Sequence, residues 1–401
     1  MSKVLISFLG TGPTDRHEYR EATYRFPSKN EYTTPFVAAA IKQEYDIDRI
    51  ILIGTMRSMW DCVYDYFGHR NNGFDDAIWE KLYENRSQAS HSSQIAPIEY
   101  QQEVENALGN NSKIVVTYYG LNDDEIAKNS EIILNIEELL EENDKLIVDI
   151  THSFRSLPMY IMNLLIFLKE VSNKKIKISH ICYGMLDATG ELGYAPIVEL
   201  NNLITVNDWI TGAYSFKRFG NVDKIAQLVD SIDNSLSGKL RTFSNAKNLN
   251  YIRELEMQCK SLHELLNGAD NSPLAKRIIT PVVQDFISRL TVEADSAFPH
   301  SDFQFRLALW QRNNHNYLAA YASLTEAIVT RYLEKYNEDN IFNYSKREDV
   351  KQNLDGRYTL YWDVAKIRNS LVHCTDNVSG TPKELIEKLG KYINRYKHLD
   401  D

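Results

Sequence analysis

The sequence predicts an α/β first half followed by an all-helical second half, and three observations lead to this division. Short apolar runs rich in β-branched residues alternate with helix-length segments up to about residue 203. Beyond that point the apolar residues recur only at helical spacing. The early runs are apolar throughout, which is typical of parallel strands covered by helices on both faces. We therefore predict a Rossmann-like domain with a mostly parallel sheet, followed by an all-α region.

In chain order, the first half contains five predicted strands, with a short sixth strand near its end. The first helix has Thr33 or Thr34 as its predicted N-cap and Pro35 in its first turn. The polar segment Gly68–Pro97 is expected to be a surface loop. The predicted strands are Lys3–Leu9, Arg49–Ile53, Lys113–Tyr118, Lys145–Ile150, Lys177–Tyr183 and Ala195–Leu200, and the predicted helices are Thr34–Gln43, Met59–Phe67, Asp123–Glu142 and Pro158–Val171.

The second half is predicted to be helical throughout. Its helical segments are Ile225–Leu236, Leu249–Leu266, Ala275–Thr291, Phe303–Lys335, Tyr361–His373 and Pro382–Tyr396. We expect three regions: a first domain at 1–203, a helical connector at 204–300 and a final helical domain at 301–401.

The composition is that of a globular protein. With 43% hydrophobic and 25% charged residues, the 401-residue chain has enough apolar material to exclude a largely disordered protein. The most apolar run, Met159–Leu168, is much shorter than the ~20 residues that cross a membrane. The N-terminus lacks a signal-peptide cleavage site, and the four cysteines form no CxxC pair. We expect a cytoplasmic protein without membrane association, disulfide framework or metal site.

The net charge of −10 argues against a protein that coats nucleic acid without specificity. The charge is uneven, however. From residue 280 onward the chain has 16 basic and 17 acidic residues, a net of −1. The net charge therefore does not exclude local binding of nucleic acid by this end of the chain.

Four segments with small, polar or basic residues follow predicted strands of the first half. They are Gly10–Gly12, Gly54–Ser58, Thr151–Ser156 and Tyr183–Met185. Ligands of open parallel sheets bind beyond the carboxyl ends of the strands, and backbone N–H groups and arginines there suit phosphates. Turn chemistry alone also explains each segment, and His152 by itself also fits a structural histidine. The sequence contains neither a GxGxxG nor a Walker A pattern.

In the second half, Arg368, Asn369 and His373 form an R-N-x-x-x-H pattern at the end of a predicted helix. Histidine exchanges protons near neutral pH, and arginine stabilises charge on a pentacoordinate phosphate. Arg368 and His373 are five residues apart, so they converge only if the helix ends or bends, or if a second subunit contributes. A solvated arginine and a histidine favoured by the helix dipole are the alternative.

Together these motifs resemble the CRISPR-associated CARF–HEPN ribonucleases of type III systems. The resemblance rests on VLISFLGTG at residues 4–12, DITHSFRS at 149–156 and RNSLVH at 368–373, which matches the R-x4-H motif of HEPN domains. It implies a CARF sensor that binds a cyclic oligoadenylate and a HEPN endoribonuclease that works without metal or cofactor. The implied ligand-binding residues are Gly10, Thr11, Gly12, Thr55, Arg57, Thr151, His152, Ser153 and Arg155, and the implied catalytic residues are Arg368, Asn369 and His373.

The resemblance also implies partners and chemistry. Attack of an RNA 2′-hydroxyl on the adjacent phosphate would leave a 2′,3′-cyclic phosphate on single-stranded RNA. A homodimer, or a larger assembly of dimers, suits a ring-shaped ligand with rotational symmetry. Cyclic tetra-adenylate is the favoured activator, with hexa-adenylate as the alternative. A non-catalytic sensor or regulator, and a sensor domain that degrades its own ligand, are the other hypotheses.

Overall fold

The computed structural model describes residues 2–12, 19–71, 73–92, 95–109, 111–152, 156–230, 232–268, 273–292, 296–373 and 380–400. The chain divides into two compact units, Met1–Leu203 and Ile204–Asp401. Among the described residues, no helix is both long and apolar enough to cross a membrane.

The first unit is built on one sheet whose described strands number eight. Their order is β3-β2-β8-β7-β6-β1-β4-β5. The neighbours from β7 to β5 are parallel, as are β2 and β8, whereas β2/β3 and β7/β8 are antiparallel. The mostly parallel sheet predicted from the sequence is thus confirmed. The strands are β1 Lys3–Phe8, β2 Ala22–Arg25, β3 Glu31–Thr34, β4 Arg49–Gly54, β5 Lys113–Val116, β6 Lys145–Asp149, β7 Lys177–Gly184 and β8 Ala195–Glu199.

Strand β1 lies in the middle of the parallel part, between β6 and β4. Val4 to Ile6 and Ile50 to Ile53 are completely buried, because helices cover both faces of the sheet. The three central strands run in the same direction, so their carboxyl ends meet at one edge. This places the segments after Phe8, Gly54 and Asp149 beside one another.

Seven described α-helices belong to this unit, with short 3₁₀ turns at Asn135–Leu139 and Leu186–Ala188. The helices are α1 Val37–Tyr45, α2 Trp60–Arg70, α3 Asp76–Gln88, α4 Gln101–Leu108, α5 Asp123–Leu134, α6 Leu157–Glu170 and α7 Thr189–Leu192. The single helix predicted at Asp123–Glu142 is wrong in its second part, where the chain tightens into the first of these 3₁₀ turns.

The predicted cap of the first helix is also wrong. Thr33 and Thr34 belong to strand β3, which pairs with β2 in a hairpin that the sequence did not reveal. Helix α1 begins after Phe36, so Pro35 precedes the helix instead of lying in its first turn. The Thr34 hydroxyl donates to the carbonyl of Phe36 at 2.9 Å and holds the chain where strand gives way to helix.

The segment Gly68–Pro97 is not a loop, contrary to expectation. Helix α2 runs to Arg70, and helix α3 follows, with the Asp75 side chain capping it by accepting from the N–H of Ala77 at 2.8 Å. Trp79 and Leu82 on α3 are buried in the core of the unit. The segment is polar in sequence because only one face of α3 is apolar, and that face packs against the domain.

The described elements of the second unit are helical, as predicted. They pack around two apolar cores, one formed mainly by α8 to α13 and one by α14 to α17. The helices are α8 Asn202–Phe219, α9 Asp223–Asp230, α10 Asn234–Asn248, α11 Ile252–Gly268, α12 Pro273–Leu290, α13 Pro299–Asn313, α14 Tyr317–Lys335, α15 Tyr344–Gln352, α16 Leu360–His373 and α17 Pro382–Tyr396, with a 3₁₀ turn at Gly356–Thr359.

Two helices predicted here as continuous are each broken into two. The run Phe303–Lys335 is split at His315, whose backbone is left-handed (φ 61°), and Asn316 caps the new helix α14. The run Ile225–Leu236 is split before Asp233, whose side chain accepts from the N–H of Leu236 and caps α10. Polar capping residues within an apolar period explain both breaks.

Candidate functional site

The carboxyl ends of β1, β4 and β6 form a pocket at the edge of the sheet. Its volume is about 200 Å³, and Gly10, Thr11, Thr55 and His152 line it. These residues come from three separate sequence motifs, and the parallel strands bring them together. The structure therefore gathers much of the predicted ligand set at one place, as expected for the switch region of a doubly wound sheet.

Hydrogen bonds join the loops after β1 and β4. The Ser58 hydroxyl donates to the carbonyl of Leu9 at 2.7 Å and accepts from the N–H of Thr55 at 2.9 Å. The N–H of Met59 donates to the carbonyl of Gly10 at 3.0 Å. At Gly54, an added Cβ would lie 2.6 Å from the Trp60 ring. This crowding requires glycine and holds the pocket floor in one conformation.

Asp149, at the end of β6, organises the third side of the pocket. Its carboxylate is fully buried and accepts from the hydroxyl of Ser7 at 2.5 Å and from the N–H of Thr151 at 3.0 Å. Burial raises the pKa of Asp149, whereas these donated hydrogen bonds oppose the rise. The Thr151 hydroxyl donates to Asp149 and accepts from the N–H of Gly184 at 2.8 Å. The Thr151 hydroxyl therefore both donates and accepts a hydrogen bond within the domain.

His152 lines this pocket and carries an unpaired ring nitrogen. Its Nε2 atom is buried and has no hydrogen-bond partner among the described residues. Burial lowers the pKa of His152, and the nearby Asp149 charge opposes this only in part. The ring packs closely on Gly10, where an added Cβ would lie 3.7 Å from Nδ1. A neutral imidazole with a free Nε2 can exchange a hydrogen bond with a bound ligand.

A second pocket of about 220 Å³ lies on the other side of Thr11. Thr11, Gly12, Arg57, Arg86 and Ser87 line it. Thr11 lines both pockets, so the two are neighbours. The backbone N–H of Arg57 donates to the Thr55 hydroxyl at 3.3 Å, which ties the arginine to the first pocket.

Arg86 is the residue of this site that the sequence did not reveal. Its guanidinium donates to the carbonyl of Thr11 at 2.9 Å and pairs with Asp61 at 3.0 Å, although Arg86 is only 6% exposed. Asp61 also accepts from the hydroxyl of Tyr19 at 2.8 Å. The sequence feature that could have revealed Arg86 is its helical spacing from Trp79 and Leu82, which places it on the buried face of α3.

The site combines two guanidinium groups with a glycine-rich loop. Arg57 is partly exposed, and its Nη1 lies 2.8 Å from the His91 ring. Arg86 forms an ion pair with Asp61, so Arg57 is the cation more available to an anionic ligand. Guanidinium groups and loop N–H groups are donors that suit phosphate oxygens. Ser153 and Arg155, which were also predicted to bind the ligand, lie outside the described residues.

The second candidate site lies on helix α16, which carries Arg368, Asn369 and His373. Val364 and Ile367 bury one face of this helix in the second core of the unit. Arg368 is half-buried, and its Nε atom has no hydrogen-bond partner in the described part of the chain. Asn369 and His373 are exposed.

Helix α16 stays helical through His373, so no bend before that residue brings Arg368 and His373 together. Residues five apart on an α-helix point in directions roughly 140° apart. One copy of the helix therefore presents the two side chains in different directions.

Among the described residues, no group of three or more histidine, cysteine, aspartate or glutamate side chains is arranged to hold a metal ion. Cys62, Cys182 and Cys259 are buried free thiols, and burial raises the pKa of each above its ordinary value. None of the three lines either of the two pockets described above.

Comparison with protein families gives two matches along the chain. Residues 4–186 match the CARF domain of the CRISPR system endoribonuclease Csx1. Residues 205–296 match the second domain of the CRISPR-associated protein MJ1674. Residues 4–186 of the first unit are therefore similar to a CARF domain, and the segment after it is similar to a domain of a CRISPR-associated protein.

The chain is also similar to one curated relative and to one solved structure. The CRISPR-associated protein MJ1674 of Methanocaldococcus jannaschii is 30% identical over 430 residues, covering 100% of this chain. The chain spans 66% of the length of that relative. Enterococcus italicus Csm6 bound to cyclic hexa-2′-fluoro-hexa-dAMP aligns over 100% of this chain and 94% of its own, at 11% identity and a TM-score of 0.41.

Proposed function

We propose that this CRISPR-associated CARF protein is an endoribonuclease of type III antiviral defence that a cyclic oligoadenylate activates. The observation that carries the proposal is the match of residues 4–186 to the CARF domain of an endoribonuclease. The pockets at the sheet edge support it, because residues from that segment converge there with two arginines. We place the protein in the cytoplasm, where such an activator and its RNA target would occur.

In this proposal the activator lies along the edge formed by the β1, β4 and β6 loops. The loop N–H groups of Gly10 to Gly12 and the Arg57 guanidinium bind phosphates. His152 Nε2 exchanges a hydrogen bond with the ligand, and Thr55 and Thr151 hold the loops. Ser153 and Arg155 complete the set. A two-fold dimer gives a symmetric ring two equivalent half-sites, with cyclic tetra-adenylate favoured and hexa-adenylate the alternative.

The nuclease site is proposed at Arg368, Asn369 and His373 of a HEPN-type domain. The RNA 2′-oxygen attacks the adjacent phosphorus, and the bond from phosphorus to the 5′-oxygen breaks. His373 takes the proton from the 2′-hydroxyl and delivers a proton to the departing 5′-oxygen. Arg368 stabilises the phosphorane charge, and Asn369 orients the phosphate. The products are a 2′,3′-cyclic phosphate and a 5′-hydroxyl end. No metal or other cofactor is needed for this chemistry.

The directions of the side chains on α16 support a composite site. Since Arg368 and His373 point roughly 140° apart, a homodimer that brings two copies of α16 together would pair groups from both. Trp362 and Val372 on this helix are each 50% exposed, which fits a surface that a second copy covers.

The direct test is incubation of the full chain with labelled single-stranded RNA, activator and EDTA, followed by mass spectrometry of the ends. Products with 2′,3′-cyclic phosphates would support the proposal. Products with 3′-hydroxyl ends, or cleavage that requires a divalent metal, would overturn the chemistry assigned to His373. Unchanged RNA from a dimer that binds the activator would favour a non-catalytic sensor.

One observation favours a second activity in the sensor domain. His152 lines the pocket and its Nε2 is unpaired, and the lowered pKa of this imidazole leaves it neutral and able to accept a proton. Slow cleavage of the cyclic ligand would use the same 2′-oxygen attack. Loss of ligand during incubation with the wild type but not with His152→Ala would support it.

A further inference from the structure

A third pocket lies wholly in the second unit, between helices α8, α12 and α13. Its volume is about 470 Å³, and the residues that give it chemical character are Tyr214, Lys217, Arg218, Arg289 and Trp310. It belongs neither to the sheet-edge site nor to the Arg368 helix. Its lining includes residues of the segment that matches the second domain of MJ1674.

The pocket is positively charged in an acidic chain. Lys217, Arg218 and Arg289 contribute three cations against one carboxylate, Asp285, which pairs with Arg289 at 2.9 Å. Lys217 and Arg218 are exposed, and neither has an ion-pair partner in the part of the chain that the structure describes. Two adjacent unpaired cations attract an anionic ligand.

Aromatic rings lie directly beside these cations. Tyr214 precedes Lys217 and Arg218 by about one helical turn, so the three side chains share one face of α8. The Tyr214 ring is 62% exposed, and Phe219 contacts it edge to face at a centroid distance of 6.5 Å. Trp310 forms the buried floor. Exposed rings next to cations are typical of surfaces that bind single-stranded nucleic acid.

The end of α8 is fixed against this floor. Gly220 has a left-handed backbone (φ 65°), and an added Cβ would lie 3.0 Å from the Trp310 ring and 3.0 Å from the Lys247 side chain. The Lys247 ammonium group donates to the carbonyl of Phe219. The cations and the exposed ring are therefore held on a rigid element, which lowers the ordering cost of binding.

We propose that this pocket binds a segment of single-stranded RNA, with phosphates on Lys217 and Arg218 and a base stacked on Tyr214. The choice of RNA rests on the proposed nuclease function, since RNA is the substrate of that reaction. The pocket would add affinity for RNA at a place outside the Arg368 helix. This affinity is useful because the final region of the chain has a net charge close to zero and attracts RNA weakly. A free nucleotide carries the same phosphate and base, so the test compares the binding of a mononucleotide with that of an RNA 12-mer.

The test is fluorescence anisotropy of the full chain with a labelled, 2′-O-methylated RNA 12-mer. This RNA cannot be cut, because its 2′-oxygen is blocked. The variant Lys217→Ala/Arg218→Ala should bind at least about tenfold more weakly, and its plot of log affinity against log salt should be shallower by roughly 1.4. The matched control Lys239→Ala/Arg241→Ala, on α10 outside the pocket, should behave as the wild type.

A second variant separates stacking from charge. Tyr214→Ala should weaken binding by about tenfold and leave the salt slope unchanged. Circular dichroism melting would confirm that the variants fold. The proposal is overturned if the wild type does not bind the 12-mer, if both alanine pairs weaken binding equally, or if adenosine monophosphate binds as tightly as the 12-mer. If the variants show that RNA binds through the pocket but unmodified RNA is not cleaved, the proposed nuclease function is overturned and the RNA site is not.

Discussion

The guanidinium of Arg86 donates a 2.9 Å hydrogen bond to the carbonyl of Thr11, which joins helix α3 to the loop of the candidate ligand site. On its other side Arg86 pairs with Asp61, which is completely buried. Helix α3, in a segment that the sequence predicted to be a surface loop, therefore supports the loop that borders both pockets.

Arg86→Ala should both destabilise the first unit and weaken activator binding. The free energy of unfolding should fall by about 3 kcal/mol, because the buried Asp61 carboxylate loses its cation. Adding Asp61→Asn should recover most of this stability, since the amide carries no charge. Denaturant unfolding and calorimetry with the activator measure the two effects. Affinity that returns with stability in the double variant would show that Arg86 acts on the fold alone.

Gly54→Ala should disrupt the pocket floor. The added methyl group would lie 2.6 Å from the Trp60 ring and 2.8 Å from Ser58 Cβ, so we expect a loss of about 2 kcal/mol of unfolding free energy. Gly190→Ala is the control, because nothing lies within 4 Å of its Cβ position. Equal melting temperatures for the two variants would contradict the assigned crowding.

His152→Ala should weaken activator binding about tenfold, because the hydrogen bond to Nε2 is lost. The lowered pKa of His152 keeps its ring neutral at pH 7 and above. Removing His152 should therefore cost the same affinity at pH 7 and pH 8.5. Isothermal calorimetry at the two pH values tests this, and a cost that disappears at pH 8.5 would mean that the imidazolium binds the ligand.

The pair His300 and Glu256 should make stability depend on pH in the second unit. His300 Nδ1 lies 2.9 Å from Glu256, whose hydrogen bond raises the His300 pKa, and burial works against it. In Glu256 burial raises the pKa, but hydrogen bonds from His300 and Lys260 and their charges outweigh it, so the pKa is lowered overall. Because the pKa of His300 is raised in the folded state, its contribution to stability is complete below the unfolded pKa. That contribution is lost as the pH rises through the folded pKa. Because the pKa of Glu256 is lowered in the folded state, its contribution to stability is complete above the unfolded pKa. That contribution is lost as the pH falls through the folded pKa.

The pair should therefore contribute most between about pH 4.5 and 6.5, by less than ~1 kcal/mol because His300 is partly exposed. A double-mutant cycle of His300→Gln and Glu256→Gln, measured by unfolding at pH 5.5 and pH 8.5, checks the sign. A larger coupling free energy at pH 8.5 would contradict it.

Mixing inactive variants tests whether Arg368 and His373 act across a dimer. Arg368→Ala and His373→Ala should each abolish RNA cleavage. After subunit exchange, a mixed dimer retains one Arg368 and one His373 on different protomers. Random exchange of equal amounts makes about half of the dimers mixed, and each mixed dimer has one intact composite site of two. Recovery of about a quarter of the wild-type rate would therefore support a composite site, whereas no recovery would mean that Arg368 and His373 act together on one protomer.

The sequence predicted the parallel strands and the loops that follow them, because buried strands leave continuous apolar runs and parallel geometry brings their ends together. It did not predict the β2–β3 hairpin, since strands of four residues containing Thr, Tyr and Glu leave no apolar run. Arg86 was missed because its role depends on a buried partner, Asp61, which is 25 positions away on another helix. Long-range pairing of this kind leaves no local pattern.

The central claim is that a cyclic oligoadenylate bound to the first unit controls RNA cleavage by the second. The most direct measurement is the cleavage rate of a labelled single-stranded RNA by the full chain with cyclic tetra-adenylate, with cyclic hexa-adenylate and with neither. We predict rapid cleavage with one of the two rings, little without them, and none for His373→Ala, which still binds the ring. A folded dimer that binds either ring and leaves RNA intact, or that cuts equally without a ring, would contradict the claim.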